Sequence, residues 1–202
     1  MSSDKTLVQA SSGRINLDTI KSKDLVIQTS SGSITIDSID SEVTAMTTTS
    51  GNIKLKDVMS KKFDATTTSG GISVEGLLAE SFAVASTSGT IGLEVKGVPS
   101  KKSSVAATSG TIFVSLPKNA AATIQAKTVS GNFVNAFTKE KINSPVDYRD
   151  DINGGGTLIA FNTISGRITV DAGNGISDLR ELPGKTKKSD DDVVQVNRPI
   201  FE

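Results

Sequence analysis

The chain has 202 residues, with 22 basic and 22 acidic side chains, so its formal net charge is zero. A neutral chain offers no electrostatic reason to expect a nucleic acid or an anionic membrane as a partner. Cysteine and histidine are both absent, which excludes disulfides, thiolate metal sites, thiol nucleophiles and the usual general base. Aromatic residues make up only 4% of the chain and tryptophan is absent, so large rigid anchors for tight binding are scarce.

No apolar run approaches the length of a membrane-spanning helix, and we expect no membrane insertion. The first residues, MSSDKTLVQASSG, lack the basic start and the apolar stretch of a secretory signal. The sequence therefore does not determine the cellular compartment of the protein. We expect an intracellular protein if Met1 is the native start, and a mitochondrial or cell-envelope protein if the chain is processed or trimmed.

A Ser-Gly pair recurs along the chain at nearly constant spacing. The glycines of these pairs are Gly13, Gly32, Gly51, Gly70, Gly89, Gly110, Gly131 and Gly166. The intervals between them are 19, 19, 19, 19, 21, 21 and 35 residues. Four equal steps followed by two steps of 21 residues indicate an internal structural repeat.

Apolar and polar residues alternate on both sides of each Ser-Gly pair. Around the second pair, Leu25 and Ile27 precede the glycine, and Ile34 and Ile36 follow it. Alternation with period two in segments rich in Ile, Val and Thr predicts short half-buried strands. Counted from the glycine, the apolar positions are odd-numbered before it and even-numbered after it. A straight strand would keep the same parity, so we expect a bend at the glycine. A lone apolar residue seven positions after the glycine, such as Ile39, indicates one further anchor point in each unit.

Such a unit cannot bury its apolar side chains alone, but stacked copies would form a continuous core. We therefore predict an all-β, single-domain parallel β-solenoid over residues 1–172, with about eight rungs of 19–21 residues spaced about 4.8 Å apart. The alternative is an antiparallel hairpin in each repeat, with the copies forming a sandwich or barrel. About three bends in each unit favour the closed rung of a solenoid over a hairpin.

The recurring phrase T-x-S-G-x-I-x-L, with an Asp, Lys or Glu just after it, resembles the repeat of adhesin-like domains of unknown function. These domains are widespread in bacteria and have some eukaryotic, mitochondrial relatives. The resemblance covers about residues 5–172 and implies a β-solenoid. It supplies no catalytic residues, because the family has no established chemistry.

The repeat is interrupted between the last two Ser-Gly pairs by a loop insertion at 135–158. A long excursion from a regular scaffold is where function tends to lie, although a solvated loop without a special role is the simpler interpretation. The insertion contains the only tyrosine of the chain. Its candidate protein-interaction residues are Tyr148, Arg149, Asp150 and Asp151.

After Asp171 the repeat stops, and residues 173–202 form a polar C-terminal tail. Its last stretch is apolar enough to cap the final rung of the same chain or to add a strand to a partner. A disordered terminus is the equally simple alternative. The candidate contact residues of the tail are Val194, Val196, Pro199, Ile200 and Phe201.

Asp18 and Asp37 fall in one column of the repeat, which continues with Lys56 and Glu75. Stacked carboxylates could bind calcium or act as acid and base. A column that continues with alternating charges is more typical of structural ion pairs, and turn chemistry explains the aspartates.

None of the Ser-Gly sites has a phosphate-binding pattern, and no histidine exists to activate a serine. We therefore predict no enzymatic activity, no cofactor and no metal site.

The sequence predicts a non-enzymatic structural scaffold or protein-interaction module, such as a peripheral subunit of a larger assembly. We expect a protein partner or a homo-oligomer, and no nucleic acid. The alternative is an adhesin-like solenoid that binds a surface or a carbohydrate with the help of calcium, although no residue pattern supports carbohydrate binding. A polysaccharide-cleaving enzyme is a distant third hypothesis, because it needs a carboxylate cluster and aromatic platforms.

Overall fold

The structure, a computed structural model, describes residues 3–173, in which all helix and strand assignments are β-strands. The candidate contact residues of the tail, Val194 to Phe201, lie outside these residues. The strands are β1 Ser3–Ser12, β2 Ile15–Ser31, β3 Ile34–Ser50, β4 Ile53–Ser69, β5 Ile72–Ser88, β6 Ile91–Val95, β7 Ser103–Ser109, β8 Ile112–Pro117, β9 Ala122–Asn135, β10 Glu140–Asn143, β11 Val146–Ile152 and β12 Thr157–Gly173.

Successive strands pair in parallel with an offset of one repeat. Ile34 of β3 lies beside Ile15 of β2 on one edge and beside Ile53 of β4 on the other. Ile53 in turn lies beside Ile72 of β5. The chain is a parallel β-solenoid of about 6 turns, with rungs of about 19 residues. The solenoid prediction is confirmed, and the parallel pairing excludes the alternative of antiparallel hairpin repeats.

The number of turns is smaller than the eight rungs that the Ser-Gly pairs predict. All eight corner glycines do stack in a single ladder. However, β1 and β9, which lie at the two ends of this ladder, each contribute only part of a turn. A Ser-Gly pair therefore marks one corner of a turn, and counting corners overestimates the winding.

The order of the rungs in space differs from their order in the sequence at the C-terminal end. β12 pairs in parallel with β7 and β8 on one edge and with β9 on the other. The corner ladder accordingly places Gly166 between Gly110 and Gly131. In the stack, the last repeat of the sequence, β12, therefore lies between the repeat formed by β7 and β8 and the repeat of β9. The insertion at 135–158 connects β9 to β12.

The core is built from columns of like residues, as the alternation predicts. In β3, Ile36 and Ile39 are buried after the corner, and Thr44 and Met46 are buried before the next corner. This burial pattern confirms the change of parity at Ser-Gly. Because each column continues into the next rung, the apolar surface of one unit is removed from water by its neighbours.

The Ser-Gly corner contains a very close approach between backbones. Gly51 has a φ of 151°, and a Cβ atom built on it would lie 1.9 Å from the carbonyl oxygen of Gly32. The hydroxyl of Thr48, directed inward, donates a hydrogen bond of 3.4 Å to the same carbonyl oxygen. Thr67 repeats this contact with the carbonyl of Gly51. Glycine is required at this corner by both its backbone conformation and the space available.

Replacing a corner glycine inside the ladder should destabilise the protein far more than replacing the glycine at its end. Gly13 has a φ of 101°, but a Cβ atom there would meet nothing within 4 Å. We expect Gly13→Ala to lower the free energy of unfolding by about 1–3 kcal/mol through backbone strain alone. Gly51→Ala adds a backbone collision, and we expect a loss above about 4 kcal/mol. Urea unfolding followed by circular dichroism measures both losses, and equal losses would contradict the ladder contact.

Candidate functional site

The insertion at 135–158 forms a cap on the C-terminal end of the solenoid. β10 and β11 both pair antiparallel with β9, along the edge that faces away from β12. Val146, Tyr148 and Ile152 of β11 are buried and extend the core over the last rung. An open solenoid end exposes the unpaired edge of a full rung, and the antiparallel cap covers that edge with two shorter strands. The predicted solvated loop is therefore a structural element.

Tyr148 is part of the core of this cap. Its ring packs against Phe133 with the ring centroids 4.7 Å apart, and the residue is only 9% exposed. The Tyr148 hydroxyl donates a hydrogen bond of 3.0 Å to Oδ2 of Asp150, and Nδ2 of Asn135 donates one of 3.3 Å to the hydroxyl oxygen. Burial, the largest cause, raises the pKa of Tyr148 to about 12. A ring in this position stabilises the cap and offers little surface to a partner.

The other three candidates of the insertion lie next to Tyr148 on β11. Thr123 donates a hydrogen bond from its hydroxyl to Asp151, and Asp150 accepts one from the backbone N–H of Asp151. The first contact joins β11 to β9, and the second lies within β11. Arg149 is exposed on the outer side of the cap. That this segment contacts another protein stays a prediction, and Arg149 is the member best placed for it.

A second surface, which the sequence reasoning did not single out, carries large exposed apolar side chains. Met59 of β4 and Leu78 of β5 lie side by side and are 56% and 45% exposed. They line an open groove of about 590 Å³ together with Val98, which we call the Met59/Leu78 groove. The groove is also lined by the small buried residues Ser22, Ser41, Ser60 and Ala79.

Ion pairs surround the apolar part of the Met59/Leu78 groove. The N–O distances are 3.5 Å for Lys21–Asp40, 3.0 Å for Lys61–Glu42 and 2.8 Å for Lys101–Glu80. All of these side chains are exposed, so each pair contributes little to folding stability. An apolar centre with a charged rim is the usual anatomy of a protein-binding surface.

The available sequence signal for this groove was the outward column that begins at Lys21. Asp40 follows Lys21 in the next rung, and Met59 and Leu78 then replace the charges. Two large apolar residues that lie side by side and face water form a patch, and such a patch points to a contact surface.

A third surface is the flat outer face of the strand segments that precede the corners. It bears mostly Ser, Thr and Ala, for example Thr66 beside Ala85. Near the cap, Val129 and Ile164 are 70% and 57% exposed and border a shallow groove of about 470 Å³. The ion pair between Lys127 and Asp147, 3.1 Å long, also borders this groove.

The charged column that begins at Asp18 contains an ion pair between Lys56 and Asp37. Nζ of Lys56 lies 2.7 Å from Oδ1 of Asp37, and the hydrogen bond to Asp37 is the main cause that raises the pKa of Lys56. A neighbouring pair, Lys96–Asp57, is also 2.7 Å long and passes over Gly76, where a Cβ atom would collide with both side chains. Residues 3–173 contain no group of three or more acidic side chains placed to hold a metal ion.

Within the same described residues, no helix has the length and apolar character needed to cross a membrane. The family model of the toastrack domain DUF4097 matches residues 2–175 of the chain. The chain belongs to the toastrack family. The match confirms the resemblance to adhesin-like β-solenoids of unknown function. No curated protein and no solved structure matches this toastrack chain.

The toastrack domain has no assigned function, so the activity must be inferred from the surfaces described above. Three sets of residues emerge from the geometry. The side chains of the cap mainly stabilise the fold, whereas the Met59/Leu78 groove and the flat outer face near Val129 and Ile164 both expose apolar side chains.

Because Tyr148 is the only tyrosine, its ionisation can be followed directly by ultraviolet absorbance. We expect a midpoint near pH 12 in the folded protein, against an ordinary pKa of 10.0. The folded-state pKa is raised, so the stabilisation from neutral Tyr148 is fully present below pH 10 and is lost as the pH rises toward 12. A midpoint near 10, recorded while circular dichroism still shows the folded state, would contradict the buried position of the ring.

Proposed function

We propose that this toastrack chain is a non-enzymatic scaffold that binds another protein through the Met59/Leu78 groove, as a peripheral subunit of a larger assembly. The observation that supports it is the pair of stacked apolar side chains on an outer surface, enclosed by a rim of ion pairs. Large apolar side chains at the centre of such a surface supply most of the affinity in protein interfaces, and the rim excludes water.

The rigid backbone under the groove favours binding. The parallel ladder fixes β4 and β5 in register on both sides of Met59 and Leu78. The backbone of this surface is therefore already ordered, and binding loses little conformational entropy there. The two side chains lie one rung apart, which is about 4.8 Å. Methionine is flexible and polarisable, and it adapts to the shape of an apolar partner surface.

The residue chemistry gives less support to the alternative of carbohydrate binding. Sugar recognition relies on exposed aromatic rings that stack against the sugar face. Phe63, Phe133 and Phe161 are fully buried, and Tyr148 packs inside the cap. Among the described residues, the rings with partial exposure are Phe113 and Phe137, and neither is fully exposed. The calcium-assisted version lacks a supporting cluster as well, because Asp37 of the acidic column is paired with Lys56.

Two double variants on the same pair of strands test the proposal. Met59→Lys with Leu78→Lys places two charges in the groove, and Thr66→Lys with Ala85→Lys places two charges on the flat face of β4 and β5. The partner is first identified with a photo-crosslinking residue at position 59, with position 66 as the control site. We expect a crosslinked protein at 59 and none at 66.

The affinity of the crosslinked partner for the purified variants then decides the role of the groove. We expect the groove variant to bind at least about tenfold more weakly, which corresponds to a loss of about 1.4 kcal/mol. The flat-face variant should bind within about twofold of the unchanged chain. Circular dichroism must show both variants folded. Equal losses in both variants, or equal crosslinking at 59 and 66, would contradict the proposal.

A further inference from the structure

The two ends of the solenoid differ in how their edges are covered. At the C-terminal end, β10 and β11 cover the outer edge of β9. At the N-terminal end, β1 pairs with β2 alone among the described residues, so its other edge has no strand beside it. Core positions are only partly buried at this end, at Val8, Ala10, Leu17 and Ile20. Its cross-section therefore presents backbone hydrogen-bonding groups together with apolar side chains.

We propose that a second copy of the chain covers this end, through antiparallel pairing of β1 with β1 of the copy across a twofold axis. A strand edge of this kind is a template for pairing with another chain. Head-to-tail stacking would place β1 against the short outer edges of β10 and β11, which run antiparallel to the rungs, so it would not continue the parallel ladder. The remaining arrangement joins two equal edges, and such an isologous contact closes as a dimer instead of growing into a fibre.

The sequence of β1 fits pairing centred on Leu7. In this register Thr6 faces Val8 of the copy, and Lys5 faces Gln9, so that inward residues stay beside inward residues. A shift of the centre by half a residue would place inward side chains beside outward ones. Leu7 itself lies on the outer face, is 54% exposed, and would pack against its own copy on the axis. The register thus extends the core across the axis and buries an exposed leucine.

The absence of cysteine in the chain allows a sharp test of this register. Leu7→Cys places two thiols on the axis, where antiparallel neighbours have their Cα atoms about 4.5–5.5 Å apart, within reach of a disulfide. Gln9→Cys is the matched control on the same face of β1. Its two copies would lie four residues apart along the strands, about 13 Å, which is too far for a disulfide.

We expect the full chain to have twice its mass of 21.0 kDa by light scattering. Under mild oxidation Leu7→Cys should form a covalent dimer and Gln9→Cys should not, whereas a mixture of Lys5→Cys and Gln9→Cys chains should crosslink. Leu7→Lys, which places like charges on the axis, should reduce the mass to that of one chain. A monomeric full chain, as expected if another segment of the same chain covers β1, would overturn the proposal, and so would equal crosslinking of both single variants.

The groove variant Met59→Lys with Leu78→Lys separates this inference from the proposed function. It should remain a dimer, because the groove lies away from β1 on strands β4 and β5. A dimer that survives the loss of partner binding supports the β1 contact even if the proposed function fails. A groove variant with the mass of one chain would contradict pairing through β1.

Discussion

The close approach of corner glycines is the constraint on which the rest of the structure depends. At each corner inside the ladder, a Cβ atom would collide with the backbone carbonyl oxygen of the neighbouring corner glycine. At Gly51, for example, the colliding atom is the carbonyl oxygen of Gly32. No other residue fits this position without moving the backbone. The contact therefore fixes the register between rungs, and a slip by one residue would turn the inward side chains outward. Buried columns of isoleucine, such as Ile34, Ile53 and Ile72, follow from that register.

Fixed register also determines what the outer surface presents. Each outward position becomes a column along the axis, so a change of residue type in one repeat creates a local patch. Charged columns produce ion pairs between rungs, such as Lys56–Asp37. The replacement of charges by Met59 and Leu78 creates the apolar groove within the same ladder. The scaffold thus converts small differences between otherwise similar repeats into a defined surface.

The local geometry of a rung could be predicted from the sequence, whereas the order of the rungs could not. The alternation and the change of parity at Ser-Gly specify strands, bend and inward columns, and the structure has all three. The corner of Gly166 has the same chemistry as that of Gly131, so either can follow Gly110 in the ladder. Only long-range pairing distinguishes the two orders, and local sequence carries no information about it.

The candidate site was predicted in part, for a similar reason. Tyr148 is a candidate because it is unique and lies in an insertion, but Val146, Tyr148 and Ile152 all fall on even-numbered positions of one strand, and this pattern predicts an inward face. The Met59/Leu78 groove was missed because it is visible only after the outward columns are aligned, from Lys21 through Asp40.

The most direct test of the rung order uses pairs of cysteines in the cysteine-free chain. Ala106 lies beside Asn162, which in turn lies beside Lys127, so that β12 separates the other two strands. We predict that Ala106→Cys with Asn162→Cys forms an intramolecular disulfide under mild oxidation. Ala106→Cys with Lys127→Cys should form none, because the two positions are two rungs apart, about 9.6 Å. A disulfide in the second pair and none in the first would show sequential stacking and contradict the structure.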